Sequence, residues 1–332
     1  MPGDTVGCAM TQNSNTTGLG FLMPLLAVLL FLAVSPLFAQ PAKIIPVNIF
    51  GDGSPFNGVE DNRKPVVIDA REPGGVAEPR LNSGTISCDG RFRGTAMVVD
   101  TREFAPELKG VILMSAAHVV YDLDKKRLFR RCKFHFMGWD DDAGYRSKID
   151  LKNMQMGDFD PASLTSVAEF GEGDWVFLYL PKPWKKYNPG QSLQPREFSF
   201  AQTESYQQSG GEFGLFAFDS SQGFISESIN CTVIASENDD LGGGAWSGQL
   251  LDDCDSSDGA SGGGIVAIIN QRYYLIGIRN GSHWNEQIYP ADAYPSGPPD
   301  GSVWDRRSNT NFGRAIDSHL LQILDQYIQS LN

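Results

Sequence analysis

The sequence predicts an all-β body of antiparallel strands, a sandwich or barrels, followed by one C-terminal α-helix. Three observations carry this. Short apolar runs recur between Gly, Asn and Asp punctuation from Leu81 onward, with no amphipathic helical stretches between them. A break from Pro181 through Gly190 divides that body into two similar lengths, as a linker between two barrels would. Only near the C-terminus does the apolar spacing change to three and four.

In chain order the first element is a leader. Leu19 to Phe38 is almost entirely apolar and runs into Ala39-Gln40, which reads as a secretory signal cleaved near Ala39. No Lys or Arg precedes it and the run is long for a signal core. A start at Met10 or Met23, or an uncleaved membrane anchor, are therefore the alternatives; Pro24 and Pro36 weigh against the anchor. Residues 41–80, rich in Gly, Pro, Asp and Asn, are expected to form an arm or pro-segment with a strand-like piece at Pro65–Ile68. The body then occupies 81–332, one half ending near 185 and the other running from about 190 to 312. The first half holds strand-like runs at Gly84–Cys88, Gly94–Val99, Gly110–Met114, Cys132–Met137 and Trp175–Leu180. The second holds Gly214–Phe218, Cys231–Ile234, Gly263–Ile269 and Tyr273–Ile278. In the expected helix, about 315–331, Ile316, Leu320, Ile323, Leu324, Tyr327, Ile328 and Leu331 share one face, with Asp317 or Ser318 as cap.

Of 332 residues, 41% are hydrophobic and 20% charged, which excludes a polytopic membrane protein and wholesale disorder. Forty acids against 27 bases, a net charge of −13, argue against nucleic acid or an anionic membrane surface as partner. Loss of Met1–Gln40 removes Asp4 and Cys8, leaving −12 and four cysteines, Cys88, Cys132, Cys231 and Cys254. An even number in an exported chain reads as two disulfides. Three pairings are open; Cys88–Cys132 with Cys231–Cys254 is favoured because each bridge stays within one half. No pair has a CxxC spacing and no histidine lies in ligand register, so neither metal nor cofactor is expected. The acidic run Asp140–Asp142 lacks the spaced ligands of a calcium loop. The basic run Lys125-Lys126-Arg127 with Arg130-Arg131 reads as a solvated loop.

Three segments carry chemistry, in the order His, Asp, Ser. Val111 to Ser115 is an apolar strand leading through Ala116-Ala117 to His118, and the small residues leave room for an imidazole at the strand end. Asp174 enters the apolar run Trp175–Leu178; a buried carboxylate needs a donor, and an imidazole N–H is a suitable one. Ser261 sits in the glycine-rich stretch Gly259-Ala260-Ser261-Gly262-Gly263. A serine hydroxyl is a poor nucleophile at neutral pH, so acyl transfer needs a base, a group to orient it and donors for the oxyanion. These segments offer all three, with the backbone N–H groups of Gly259 and Ser261 as the donors. His135, His283 and His319 read as structural residues, and Asn280-Gly281-Ser282 fits a glycosylation sequon.

With these motifs in this order, the chain resembles the chymotrypsin-like serine peptidases, especially their bacterial secreted V8-like, glutamyl-endopeptidase branch. SAAH at Ser115–His118 is similar to the TAAH motif, Asp174 and its apolar strand to the D-x-A-x-L strand, and GASGG at Gly259–Gly263 to GDSGG or GNSGS. Gly94–Val99 and Leu275–Ile278 are similar to the strands before the histidine and after the serine, and Glu60–Arg63 gives a weaker echo. The resemblance covers most of Gly84–Ile278. It implies two perpendicular six-stranded β-barrels with the active site between them, and hydrolysis of peptide bonds. Ser261 would be the nucleophile, His118 the proton shuttle and Asp174 its orienting partner. The product would be a secreted or periplasmic monomer acting on proteins or peptides.

Departures from the family pattern matter as well. Ala260 stands where the animal digestive enzymes carry the aspartate of their zymogen switch, so that switch is absent. Asp255, six residues before Ser261, falls where trypsin-like enzymes select Lys or Arg. Arg279 falls where the V8 type carries a histidine that helps select Glu. The two either neutralise each other across a substrate pocket or only one reaches it. Two other readings compete: an α/β-hydrolase, since GASGG satisfies G-x-S-x-G with His283 or His319 following, and a catalytically silent binding protein on the same fold.

Overall fold

The computed structural model describes residues 61–66, 82–136, 146–158, 171–183, 192–236, 248–290, 292–294, 298–299 and 301–332. The leader, most of the arm, the run Asp140–Asp142 and most of the Pro181–Gly190 break lie outside the described residues.

The arm contributes β1 (Lys64–Pro65). The first half contains β2 (Ser83–Cys88), β3 (Arg91–Val99), β4 (Val111–Ser115), the short pair β5 (Tyr121–Asp122) and β6 (Arg127–Leu128), β7 (Lys133–Phe136), β8 (Arg146–Lys148), β9 (Asp150–Met156) and β10 (Val176–Leu180). In the second half come β11 (Gln194–Pro195), α1 (Phe200–Gln208), β12 (Glu212–Asp219), β13 (Phe224–Cys231), β14 (Val233–Ala235), β15 (Gln249–Asp252), β16 (Gly264–Ile269), β17 (Arg272–Trp284), β18 (Asn309–Ala315) and α2 (Ser318–Ser330).

The first half forms a seven-stranded sheet in the order β8-β7-β2-β3-β4-β10-β9. The second forms a nine-stranded sheet, β1-β13-β12-β16-β17-β18-β15-β14, to which β11 adds by pairing with β17. All pairings are antiparallel except β11 with β17. The strand counts exceed the expected six because β1, β8, β11 and β14, of two or three residues each, extend the sheets; without them six strands remain in each. Register shifts in β2–β3, β12–β13, β16–β17 and β17–β18 bend the strands, as bulges do. The antiparallel β fold also removes the α/β-hydrolase reading, which needs a mainly parallel sheet.

β4 reads as a continuous apolar run because all five of its residues are buried, the pattern of a strand covered on both faces. Its neighbours share one core with the second half: Met97, Leu113, Phe134 and Phe177 pack in the same cluster as Phe216, Val266 and Leu275. α2 joins that cluster through Leu320, Leu324 and Ile328. The last element of the chain therefore returns to the first half, where Tyr327 stacks on Phe177 at 5.9 Å and donates its hydroxyl to the Asn153 carbonyl. Asp317 caps α2 by accepting from the Leu320 N–H at 2.7 Å. Disulfides join Cys88 to Cys132 and Cys231 to Cys254. Each constrains the unfolded chain, typically worth about 2–4 kcal/mol. The helix α1, which the apolar pattern does not announce, is held by a capping box between Ser199 and Gln202.

Candidate active site

Strand register places the histidine and the aspartate together. Ser115 of β4 pairs with Val176 of β10, so His118, three residues beyond Ser115, and Asp174, two residues before Val176, leave the same end of one antiparallel pair. Ser115 fixes that end by donating its hydroxyl to the Thr95 carbonyl at 2.6 Å. His118 then sits in the 3-10 turn Ala117–Val119, whose flanking alanines are fully buried. Its backbone N–H donates to Asp174 Oδ1 at 2.9 Å, and its ring Nδ1 lies 2.7 Å from Oδ2. The Asp174 side chain has no exposed surface and that of His118 only 7%. A carboxylate can only accept, so in the neutral ring the proton resides on Nδ1 and Nε2 is left basic.

A third residue, read in the sequence only as a sequon, holds the aspartate segment in place. Asn280 is fully buried on β17. Its side-chain amide donates to the carbonyls of Asp174 (2.9 Å) and Gly171 (3.1 Å), while its Oδ1 accepts from the Arg314 N–H. One side chain from the second half thus ties down the loop carrying the acid of the first. A buried asparagine satisfied on both sides was the only available signal, and it is a property of three-dimensional neighbours.

The serine turn is shaped by its glycines. Gly259 and Gly262 adopt φ of +97° and +82°, a region L residues rarely enter. A Cβ on Gly262 would lie 2.1 Å from the Thr95 carbonyl oxygen and 2.2 Å from Ser115 Oγ. The turn is fastened to β3 through Thr95, whose N–H donates to the Ser261 carbonyl and whose hydroxyl donates to the Gly259 carbonyl, both at 2.8 Å. Gly94 beside it is equally crowded: its Cβ would meet the Ser261 carbonyl oxygen and Val119, each at 2.7 Å. Since Val119 follows His118, the serine turn and the histidine turn converge on Gly94. The N–H groups of Gly259 and Ser261 donate to no acceptor among the described residues.

The two pocket candidates separate. Arg279 has no exposed surface, and its Nη2 lies 2.5 Å from Oδ1 of the equally buried Asp252. Burial pushes the Asp252 carboxyl up, with Arg279 opposing. Arg279 is therefore a buried ion-pair partner of Asp252. Its backbone still shapes the site, accepting from Gly262 and donating to Gly263, both at 2.8 Å. Asp255 is buried too, and its Oδ2 accepts from the backbone N–H of Asn62 on the arm at 2.8 Å. The adjacent Arg63 places Nη1 3.0 Å from Asp219, whose other oxygen accepts the Ser257 hydroxyl. Sequence reading missed this arm contact. Among the remaining histidines, His135 hydrogen-bonds Ser87 at 2.8 Å and His319 lies on α2. Burial pushes His283, on β17, down to about 4. No helix of the described residues is long and apolar enough to cross a membrane.

No family model matches the chain, and no curated protein does. Solved structures do. A Glu endopeptidase determined in complex with MPD superposes with a TM-score of 0.50 at 11% identity, covering 81% of this chain and 98% of that one. Kallikrein-related peptidase 10 gives a TM-score of 0.48 at 15% identity, covering 78% and 100%. The chain has the all-β fold of the trypsin-like serine peptidases, with a C-terminal helix added.

Proposed function

We propose that this chain is an exported serine endopeptidase of the V8-like type, working through His118, Asp174 and Ser261. The observation that carries the reading is the fully buried Asp174 carboxylate, which accepts from both the backbone and the ring of His118. That arrangement fixes the tautomer in which Nε2 takes the proton of Ser261 Oγ as the oxygen attacks a peptide carbonyl. The uncommitted N–H groups of Gly259 and Ser261 hold the developing oxyanion. His118 returns the proton to the leaving amine, and water, activated the same way, hydrolyses the acyl-enzyme. The leader reading and the two disulfides support export.

The competing reading is a silent binding protein on this fold, because a fold and its motifs alone do not establish turnover. The buried Asp174–His118 contact keeps the peptidase reading ahead. A fluorophosphonate probe decides between them. The peptidase reading expects covalent labelling at Ser261 that disappears in Ser261→Ala and falls by orders of magnitude in His118→Ala. Folded wild-type protein that takes no label is a binding protein.

A further inference from the structure

Residues of β3, of the β5–β6 pair and of the segment after it line a cleft of about 430 Å³ whose charge opposes that of the molecule. Six cationic side chains line it against two carboxylates, in a chain of net charge −13. The carboxylates are already engaged: Asp122 pairs with Lys125 at 3.0 Å and Asp89 with Arg131 at 3.1 Å. The hydrogen bond from Lys125, with the field of Arg127 added, holds the Asp122 carboxyl below its ordinary range. Arg91, Arg93, Arg127 and Arg130 have no ion-pair partner among the described residues. The Arg93 guanidinium lies 3.7 Å from the centroid of the Phe129 ring, and its Nε is buried with no hydrogen-bond acceptor.

The cleft shares chain segments with the elements of the candidate site. Arg93 precedes Gly94, against which the Ser261 carbonyl packs, and a Cβ on Gly259 would lie 2.8 Å from the Phe92 ring. Phe129 donates its N–H to the Val120 carbonyl at 2.9 Å, two residues beyond His118. Two of the cleft's arginines, Arg91 and Arg93, stand on β3, the strand to which Thr95 fastens the serine turn. Four guanidinium groups without an ion pair among the described residues, in a space this size, match two or three carboxylates on a short extended peptide. A long polyanion would meet the acidic remainder of the surface.

We infer that this cleft is a subsite for an acidic stretch of the polypeptide substrate, within about five residues of the scissile bond and on one side of it. The inference rests on the peptidase reading, but binding tests it separately. The full chain carrying Ser261→Ala is titrated with a fluorescent decapeptide containing four Glu, and with its Gln counterpart. At low salt the Glu peptide binds about fivefold tighter or more. That difference disappears in Arg127→Gln/Arg130→Gln, both surface side chains, shrinks in Arg91→Gln, and collapses at high ionic strength. Equal binding of the two peptides, or a difference that survives loss of the arginines, overturns the inference. So does arginine-dependent binding of a sulfated oligosaccharide or an RNA oligomer without Glu-peptide discrimination. On wild-type enzyme, kcat/KM across peptides with Glu moved through each position shows the preference on one side only. Probe labelling with no Glu preference sinks the subsite and spares the peptidase; arginine-dependent Glu-peptide binding without labelling does the reverse.

Discussion

Asp174 receives two hydrogen bonds from a single residue, His118, one from its backbone and one from its ring. The double contact sets both the position of the histidine turn and the rotation of the imidazole. Replacing Asp174 with Asn keeps the shape and removes the obligate acceptor, so the ring can settle in the other tautomer, with its proton on Nε2. Asp174→Asn is expected to lower kcat by about four orders of magnitude, in line with loss of the orienting acid in related triads. The fold persists, visible as an unchanged far-ultraviolet spectrum. A variant retaining a tenth of wild-type turnover would mean that Asp174 is structural only.

Arg279 and Asp252 form a fully buried pair in which Arg279 Nε and Nη1 and Asp252 Oδ2 have no hydrogen-bond partner among the described residues. Removing one member leaves an uncompensated polar group, whereas removing both charges relieves the cost. Arg279→Met is expected to lose about 3–5 kcal/mol in urea unfolding. Arg279→Met/Asp252→Asn should come back to within about 1 kcal/mol of wild type, because Asn still accepts from the Cys254 N–H. Additive losses in the double-mutant cycle would show that the two side chains do not stabilise one another.

Local chemistry made part of this molecule readable. Ser115–His118, Asp174 with its strand, and the Gly259–Gly263 turn were visible because each has the residue types its role needs within a few positions. α2 was visible because Leu320, Leu324 and Ile328 repeat at helical spacing and are buried as that spacing implies. β18 was not visible: Asn309 to Ala315 is buried throughout, yet reads NTNFGRA, with no apolar alternation to mark it. β9, half exposed and polar, also lacks a pattern. The Arg279–Asp252 pair was not legible because Asp252 lies 27 residues earlier, and the hold of Asn280 was not because its acceptors lie more than 100 residues away. What escaped the sequence were polar side chains whose partners are distant along the chain.

Burial on β17 lowers the His283 pKa from an ordinary 6.5 to about 4. Between those values the unfolded chain binds a proton that the native protein refuses. The contribution of His283 to stability is therefore complete above about pH 6.5 and lost progressively as the pH falls towards 4. Carboxylates titrate in the same range but are common to wild type and variant. Tm measured from pH 7 to 4 should decline less steeply in His283→Gln than in wild type. Parallel curves would place the imidazole in solvent.

The arm supplies the last relationship. Arg63 is 6% exposed and lies between Asp61, 37% exposed, and Asp219, 1% exposed. The inner carboxylate is the one coupled to the serine turn: Asp219 Oδ1 accepts the Ser257 hydroxyl at 2.7 Å, and the Ser257 carbonyl accepts from Ala260 at 3.1 Å, one residue before Ser261. An exposed carboxylate gains little from pairing, whereas a buried one left without its cation is costly. Asp61→Asn is expected to cost under about 1 kcal/mol. Arg63→Met should cost about 3 kcal/mol, the lower end for breaking a buried pair, because three hydroxyl or amide donors from Ser221 and Ser257 still serve Asp219. With the Ser257–Ser261 turn less firmly held, fluorophosphonate labelling of Arg63→Met should also slow at temperatures where the protein remains folded. Urea unfolding and labelling rates, taken together on both variants, check this. Equal costs for the two substitutions would assign the arm's hold to Asp61, and an unaltered labelling rate would uncouple the arm from the serine turn.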